Sequence, residues 1–235
     1  MSMPLCHRGF KIKSSFSYMP LFPLTKKISF PPVHFSEPDG LLAIGGDLSA
    51  ERLLLAYRSG IFPWYEGEHI LWWTPDPRFV LFPNELKVSK SMKQLLKRNA
   101  FEFTINKAFN EVINNCKTIS RRGQDGTWIN DEMKNAYMHL HALGYAQSAE
   151  TWLENELVGG LYGIRLGKVF FGESMFSNAS NASKYAFIKY VQALQLEDVK
   201  IIDCQVYTEH LESLGARMIE RENFIELLKE YIPEL

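Results

Sequence analysis

Near the end of the sequence, Ile201-Ile202-Asp203-Cys204-Gln205 places a carboxylate and an amide two residues apart in an apolar run. In a strand, the period of two sends Asp203 and Gln205 to one face and Cys204 to the other. A carboxylate can orient or deprotonate a neighbour, and an amide can both donate and accept. The same pair can instead cap a loop or helix, since buried polar groups need partners. Glu173 stands in Phe170-Phe171-Gly172-Glu173-Ser174-Met175-Phe176-Ser177, an aromatic strand where an unpaired acid is costly to bury. Either it faces water from an edge, or it is an anion in an apolar pocket, set to receive a cationic group.

Two larger groups could bind rather than react. Phe62, Trp64, Trp72, Trp73 and Trp128 are mostly flanked by Pro or Gly. Singly each is core material; as a set they suggest a stacking surface for a base or an apolar side chain. Lys90, Lys93 and Lys97, at 100° per helical residue, fall within about 60° of one another. With Lys87 and Arg98 they form a cationic stretch with no acid interleaved. Such a face is either solvated or a grip on phosphates. Cys204 with His210 as base is a third option for nucleophilic chemistry, though nothing in the spacing fixes that pair. His139 and His141 diverge on a helix, and no CxxC, HExxH, GxxxxGK[ST] or GxGxxG pattern occurs.

The elements that must position these groups follow from pattern. Ser49 caps a helix that Gly60 stops, and Ser89 caps a second through Arg98. Two loops dense in aromatics and prolines, 60–65 and 71–78, lie between them, followed by a strand at 79–82. Helices are expected over 106–116, 130–143, 183–195, 209–214 and 223–231. Strands are expected over 146–153, 157–166, 168–173 and 199–205, with a tight turn at Glu154-Asn155-Glu156. Antiparallel strands followed by β-α-β make an α+β fold.

The 235 residues carry 46% hydrophobic side chains, enough for a core and against a disordered chain. No run approaches the length of a membrane span. Three cysteines make no disulfide framework and point to a reducing compartment, so a cytoplasmic protein with no membrane partner is expected. The net charge of −1 argues against nucleic acid only as an average. It hides the basic stretch at 87–98 and the absence of any acid before Glu37.

Nine motifs, in order, resemble the leucyl/phenylalanyl-tRNA–protein transferases. They are Glu37-Pro38-Asp39-Gly40-Leu41-Leu42, Gly45-Gly46-Asp47-Leu48-Ser49, Tyr57-Arg58-Ser59-Gly60-Ile61-Phe62-Pro63-Trp64, Trp72-Trp73-Thr74-Pro75-Asp76-Pro77-Arg78, Gly126-Thr127-Trp128-Ile129, Gly159-Gly160-Leu161-Tyr162-Gly163, Gly172-Glu173-Ser174-Met175-Phe176-Ser177, Asn181-Ala182-Ser183-Lys184 and Ile202-Asp203-Cys204-Gln205. Leu161 stands where the family more often has Met.

The resemblance implies transfer of Leu or Phe, and less readily Met, from aminoacyl-tRNA to proteins with N-terminal Arg or Lys, which marks them for N-degron degradation. The basic, Ser-containing start of the chain reads as a poorly ordered extension (1–29) or, alternatively, a targeting peptide. The resemblance implies a small N-terminal α/β domain (30–90) and a GNAT-like catalytic domain (91–235) with a mixed, mostly antiparallel sheet. By the same resemblance Asp203, Gln205 and Glu173 are catalytic. Trp64 and Trp128 flank the terminal adenosine. Leu161, Phe170, Met175 and Tyr190 line the side-chain pocket, and Lys90, Lys93, Lys97 and Arg98 grip tRNA. The ester is already activated, so no cofactor or metal is expected; a monomer is expected too. The alternative is a GNAT-like acyltransferase using acetyl-CoA, whose usual [QR]-x-x-G-x-[GA] turn has no match here.

Overall fold

The computed structural model describes residues 21–118 and 129–233. In chain order these form β1 (Phe22–Leu24), β2 (Leu41–Gly45), α1 (Ala50–Arg58), β3 (Phe62–Pro63), β4 (Leu71–Trp73), β5 (Arg78–Leu81), α2 (Lys90–Lys97), β6 (Glu102–Ile105), α3 (Phe109–Thr118), α4 (Asp131–Ala142), β7 (Ala146–Leu153), β8 (Glu156–Leu166), β9 (Val169–Ser177), α5 (Ala182–Leu196), β10 (Ile201–Gln205), α6 (Glu209–Glu212), β11 (Arg217–Ile219) and α7 (Arg221–Tyr231). No helix among the described residues is long and apolar enough to cross a membrane.

The expected caps are present. Ser49 Oγ accepts from the Arg52 N–H at 3.4 Å, and Gly60 follows α1 with φ +72°. Ser89 Oγ accepts from the Met92 N–H at 3.3 Å and starts α2. The turn at Glu154-Asn155 has positive φ at both residues, as a tight hairpin requires.

A four-stranded sheet runs β1-β2-β4-β3 and a seven-stranded one β11-β5-β10-β9-β8-β7-β6. The larger is antiparallel except at β9–β10, where α5 makes the crossover. Period-two alternation divides its side chains between two cores. Val80, Tyr162, Phe171 and Ile201 face one core with α1, α3, α4, α7 and Trp72 of the small sheet. Phe79, Leu161, Phe170 and Ile202 face the other, with α2, α5 and α6. Helices on both faces of a mixed sheet give the α+β class expected.

Four expectations change. The aromatic stretches at 60–65 and 71–78 are not both loops, since β3 and β4 pair there. The helix expected from Asn106 is preceded by β6 and begins at Phe109. Within the expected N-terminal extension, Phe22–Leu24 pairs in parallel with β2. Arg52, buried in α1, fastens this stretch by donating to Thr25 O at 2.8 Å and Lys27 O at 3.3 Å. In addition, β5, which falls inside the 30–90 segment, is a strand of the larger sheet rather than the smaller.

Candidate active site

β9 and β10 pair only from Val169–Ile201 to Phe171–Asp203. Both strands break their regularity at that level. On β9, Tyr162 faces Ser174 and Gly163 faces Gly172, so Glu173 is the extra residue of a bulge. A Cβ at Gly163 would lie 2.1 Å from Phe171 O, so only glycine fits opposite. On β10 the register slips between Asp203 and Gln205, and Gln205 has φ +64°. That left-handed backbone is held by the Gln205 N–H, which donates to Asp203 Oδ1 at 3.0 Å. The parted strands leave a cleft whose walls include Phe62, Trp64, Leu161, Phe170, Met175, Phe187, Ile202 and Leu211. Gln205 and Glu173, joined by a hydrogen bond, are among its polar lining residues.

Asp203 is fully buried, as is Arg78. The guanidinium donates from Nε to Oδ1 at 2.8 Å and from Nη2 to Oδ2 at 2.7 Å, a two-pronged pair. Phe62 and Phe224 lie 4.7 and 4.9 Å from the guanidinium carbon, and Nη1 donates to Gly60 O at 3.2 Å. Both oxygens of Asp203 are thus engaged inside the protein.

Glu173 is only partly exposed. Tyr57 Oη lies 2.7 Å from Oε1 and Tyr137 Oη 2.8 Å from Oε2, both within hydrogen-bond distance. The two hydroxyl oxygens are 2.5 Å apart. Gln205 Nε2 donates to Oε1 at 3.0 Å. Burial pushes the Glu173 carboxyl up to about 7, with the Asp203 charge adding to the rise and the hydroxyl and amide bonds opposing it.

Cys204 packs against the second core, on the side of β10 away from Arg78. Burial pushes its thiol up, which makes it a poor nucleophile. Burial lowers His210 to about 4, with the Lys184 charge adding to the fall. Among the described residues, no group of three His, Cys, Asp or Glu side chains could hold a metal.

A polar pair in the wall of an apolar cleft suits an apolar acyl group presented to an amine. Residues 80–229 match the family model described as leucyl/phenylalanyl-tRNA protein transferase. The chain belongs to that family. Residues 46–76 match the model of the family's N-terminal domain. The leucyl/phenylalanyl-tRNA–protein transferase of Syntrophobacter fumaroxidans is 56% identical over 92% of this chain and 93% of its own length. That of Flavobacterium johnsoniae is 59% identical over 89% of this chain and 99% of its own. Among solved structures, L-PGS from Bacillus licheniformis matches 69% of this chain and 51% of its own, with a TM-score of 0.39 and 11% identity. That likeness is too distant to bear on activity.

The family's motifs converge here, with exceptions. Trp64, Leu161, Phe170 and Met175 all line the cleft. Tyr190 does not. It is buried behind Phe170, ring centroids 5.0 Å apart, and its hydroxyl donates to Gln147 Oε1 at 2.7 Å. Its helix face points at the core, where Phe170 screens it from the cleft. The tryptophans are not one surface either. Trp72 is fully buried and donates to Gly45 O at 2.8 Å, while Trp73 backs Trp64 by donating to its carbonyl at 2.7 Å. Trp128 lies outside the described residues. Lys90, Lys93, Lys97 and Arg98 are all exposed, and none takes part in an ion pair among the described residues.

Sequence reasoning missed Arg78, Tyr57 and Tyr137. Arg78 had a signal: a cation opening an apolar strand must find a buried acid. Tyr57 and Tyr137 had none, because each sits on the apolar face of its helix like any core aromatic.

Proposed function

We propose that this chain takes Leu or Phe, and less readily Met, from aminoacyl-tRNA and joins it to proteins or peptides with N-terminal Arg or Lys. The product is thereby marked for N-degron degradation in the cytoplasm. The observation that carries this reading is the apolar cleft with Gln205 and Glu173 in its wall. An acyl side chain seated among Leu161, Phe170 and Met175 places its ester carbonyl beside those polar groups.

The reaction is aminolysis of an ester. The acceptor nitrogen attacks the carbonyl carbon, a C–N bond forms, and the bond to the ribose oxygen breaks. The amine must first be neutral, and its second proton leaves with the ribose hydroxyl. The ester supplies the activation, so positioning carries most of the rate. Gln205 is the group we place against the amine, through its side-chain carbonyl. Asp203 acts on Gln205, fixing its backbone. With both oxygens engaged by Arg78 and Gln205, Asp203 is a positioning residue rather than a proton acceptor. Trp64 stacks on the terminal adenosine, together with Trp128. Leu161 in place of Met keeps the pocket apolar at similar volume, so the preference is set by fit worth only about 1–3 kcal/mol per methylene.

Lys90, Lys93 and Lys97 grip acceptor-stem phosphates without reading sequence. Replacing all three by Ala should lower the slope of log affinity against log salt by about 2–3, measured by tRNA titration at several salt concentrations. An unchanged slope means that the face is only solvated. The parted parallel strands of the mixed sheet support a GNAT-like reading of residues 91–235, preceded by a small N-terminal domain. A monomer suffices, since every group named comes from one chain.

The test is transfer of labelled Phe from Phe-tRNA to a peptide beginning with Arg. Labelled peptide is expected with an Arg or Lys terminus and not with an acidic one. No labelled peptide from folded protein ends the proposal.

A further inference from the structure

We propose that Glu173 stands in the unliganded site as a neutral carboxylic acid. A closed ring of hydrogen bonds with Tyr57 and Tyr137 keeps it so, and these two tyrosines are its positioning residues. The argument is a count of protons. Three contacts join three groups: Tyr57 to Glu173 at 2.7 Å, Tyr137 to Glu173 at 2.8 Å, and Tyr57 to Tyr137 at 2.5 Å. All three lie in the range of O–H···O hydrogen bonds. Each needs one proton, and the two tyrosines supply only two. With Glu173 ionised, both hydroxyls donate to it, and two phenolic oxygens face each other at 2.5 Å with nothing between them. The third proton therefore belongs to the carboxyl group.

Its place in the ring follows from Gln205. Oε1 of Glu173 already accepts from Gln205 Nε2 and from Tyr57. The acidic proton is then on Oε2 and is donated to Tyr137. Tyr137 donates to Tyr57, and Tyr57 donates to Oε1, so all three bonds run in one direction.

The surroundings agree. The groups facing Glu173 are Tyr57 from α1, Tyr137 from α4, and Asp203 with Gln205 from β10. Tyr162 from β8 backs Tyr137, ring centroids 5.5 Å apart. Arg78 on β5 is paired through both prongs with Asp203, and among the described residues no ion pair involves Glu173. Neutral hydroxyls thus satisfy Glu173 without compensating a charge. Burial raising the carboxyl to about 7 points the same way.

This inference rests on the transfer reading for its meaning. A neutral Glu173 does not draw an ammonium into the cleft. It instead accepts the Gln205 N–H, which leaves the Gln205 side-chain carbonyl as the free acceptor for the amine's N–H. Glu173 orients the amide from one side, as Asp203 orients its backbone from the other.

The experiment is infrared difference spectroscopy on the full-length protein without tRNA, wild type minus Glu173→Gln, from about pH 5 to about pH 9. A protonated-carboxyl band present in the wild type at the acid end, absent from Glu173→Gln, is expected. It should give way to carboxylate near neutrality. Carboxylate already at the acid end overturns the proposal. Tyr57→Phe then separates the ring from simple donation. If the tyrosines only donate to a carboxylate, losing one raises the midpoint. If they close a ring, the neutral acid loses two bonds, while the anion loses one charge-assisted bond and is relieved of the two phenolic oxygens facing each other, so the midpoint should fall. A rise, or no shift, overturns the ring. Circular dichroism confirms that both variants are folded. No tRNA or peptide is used, so failure here leaves the transfer proposal standing, and failure of transfer leaves this result intact.

Discussion

Asp203 and Glu173 sit beside each other on adjoining strands, yet they are stabilised by opposite means. Asp203 meets a guanidinium that matches its charge and both its oxygens. Glu173 meets two phenols and an amide, which satisfy its hydrogen bonds and leave any charge uncompensated. The first arrangement is rigid and takes the carboxylate out of proton transfer. The second leaves a group that can hold or lose a proton near neutral pH. A buried acid's role is thus read from its partner's charge more than from its position.

The largest effect that would test this contrast is at Arg78. Arg78→Ala leaves Asp203 buried and unpaired, and urea unfolding should show a loss of about 3–5 kcal/mol. A loss below about 1 kcal/mol would mean that Asp203 is as tolerant of lone burial as Glu173.

The matching test at Glu173 is pH dependence. Its carboxyl is raised from 4.5 to about 7 in the folded protein, so between those values the folded chain binds a proton that the unfolded chain has lost. This contribution to stability is therefore full below about 4.5 and is lost as pH rises through about 7. After allowance for partial exposure it is on the order of 2 kcal/mol. Relative to Glu173→Gln, whose residue 173 does not titrate, the wild type should lose about this much stability as pH rises across that window, read from urea unfolding of both proteins. Parallel curves would place Glu173 with Asp203, as a group whose charge is already compensated.

Much of this arrangement was legible in the sequence, because it follows from local chemistry. Ser49, Ser89, Gly60 and the Glu154-Asn155 turn mark their elements through caps and left-handed positions, which need no distant partner. The apolar run 201–205 identified β10 and its polar end. What escaped depends on tertiary contact. β3 and β4 are two and three residues long, and beside prolines they read as loop. β6 was hidden because its four residues precede the stronger helical pattern of α3. The bulge at Glu173 has only Gly172 as a local signal, which does not say where the side chain goes; the bulge aims it at Tyr57 and Tyr137. Those two hydroxyls lie 80 residues apart in sequence.

A smaller test concerns the two aromatic residues Phe170 and Tyr190, one in the cleft and one behind it. Tyr190→Phe strips Gln147 of its donor and should cost about 1 kcal/mol in thermal or urea unfolding. The preference among Leu, Phe and Met should stay as in wild type. A changed preference would return Tyr190 to the cleft wall.

The central claim is that Gln205 meets the attacking amine. Single-turnover transfer of Phe from Phe-tRNA to a peptide with N-terminal Arg, wild type against Gln205→Ala at saturating tRNA, tests it directly. The account predicts a rate lower by about 100-fold, roughly 2.7 kcal/mol, with tRNA affinity unchanged. Equal rates in the two proteins would contradict it.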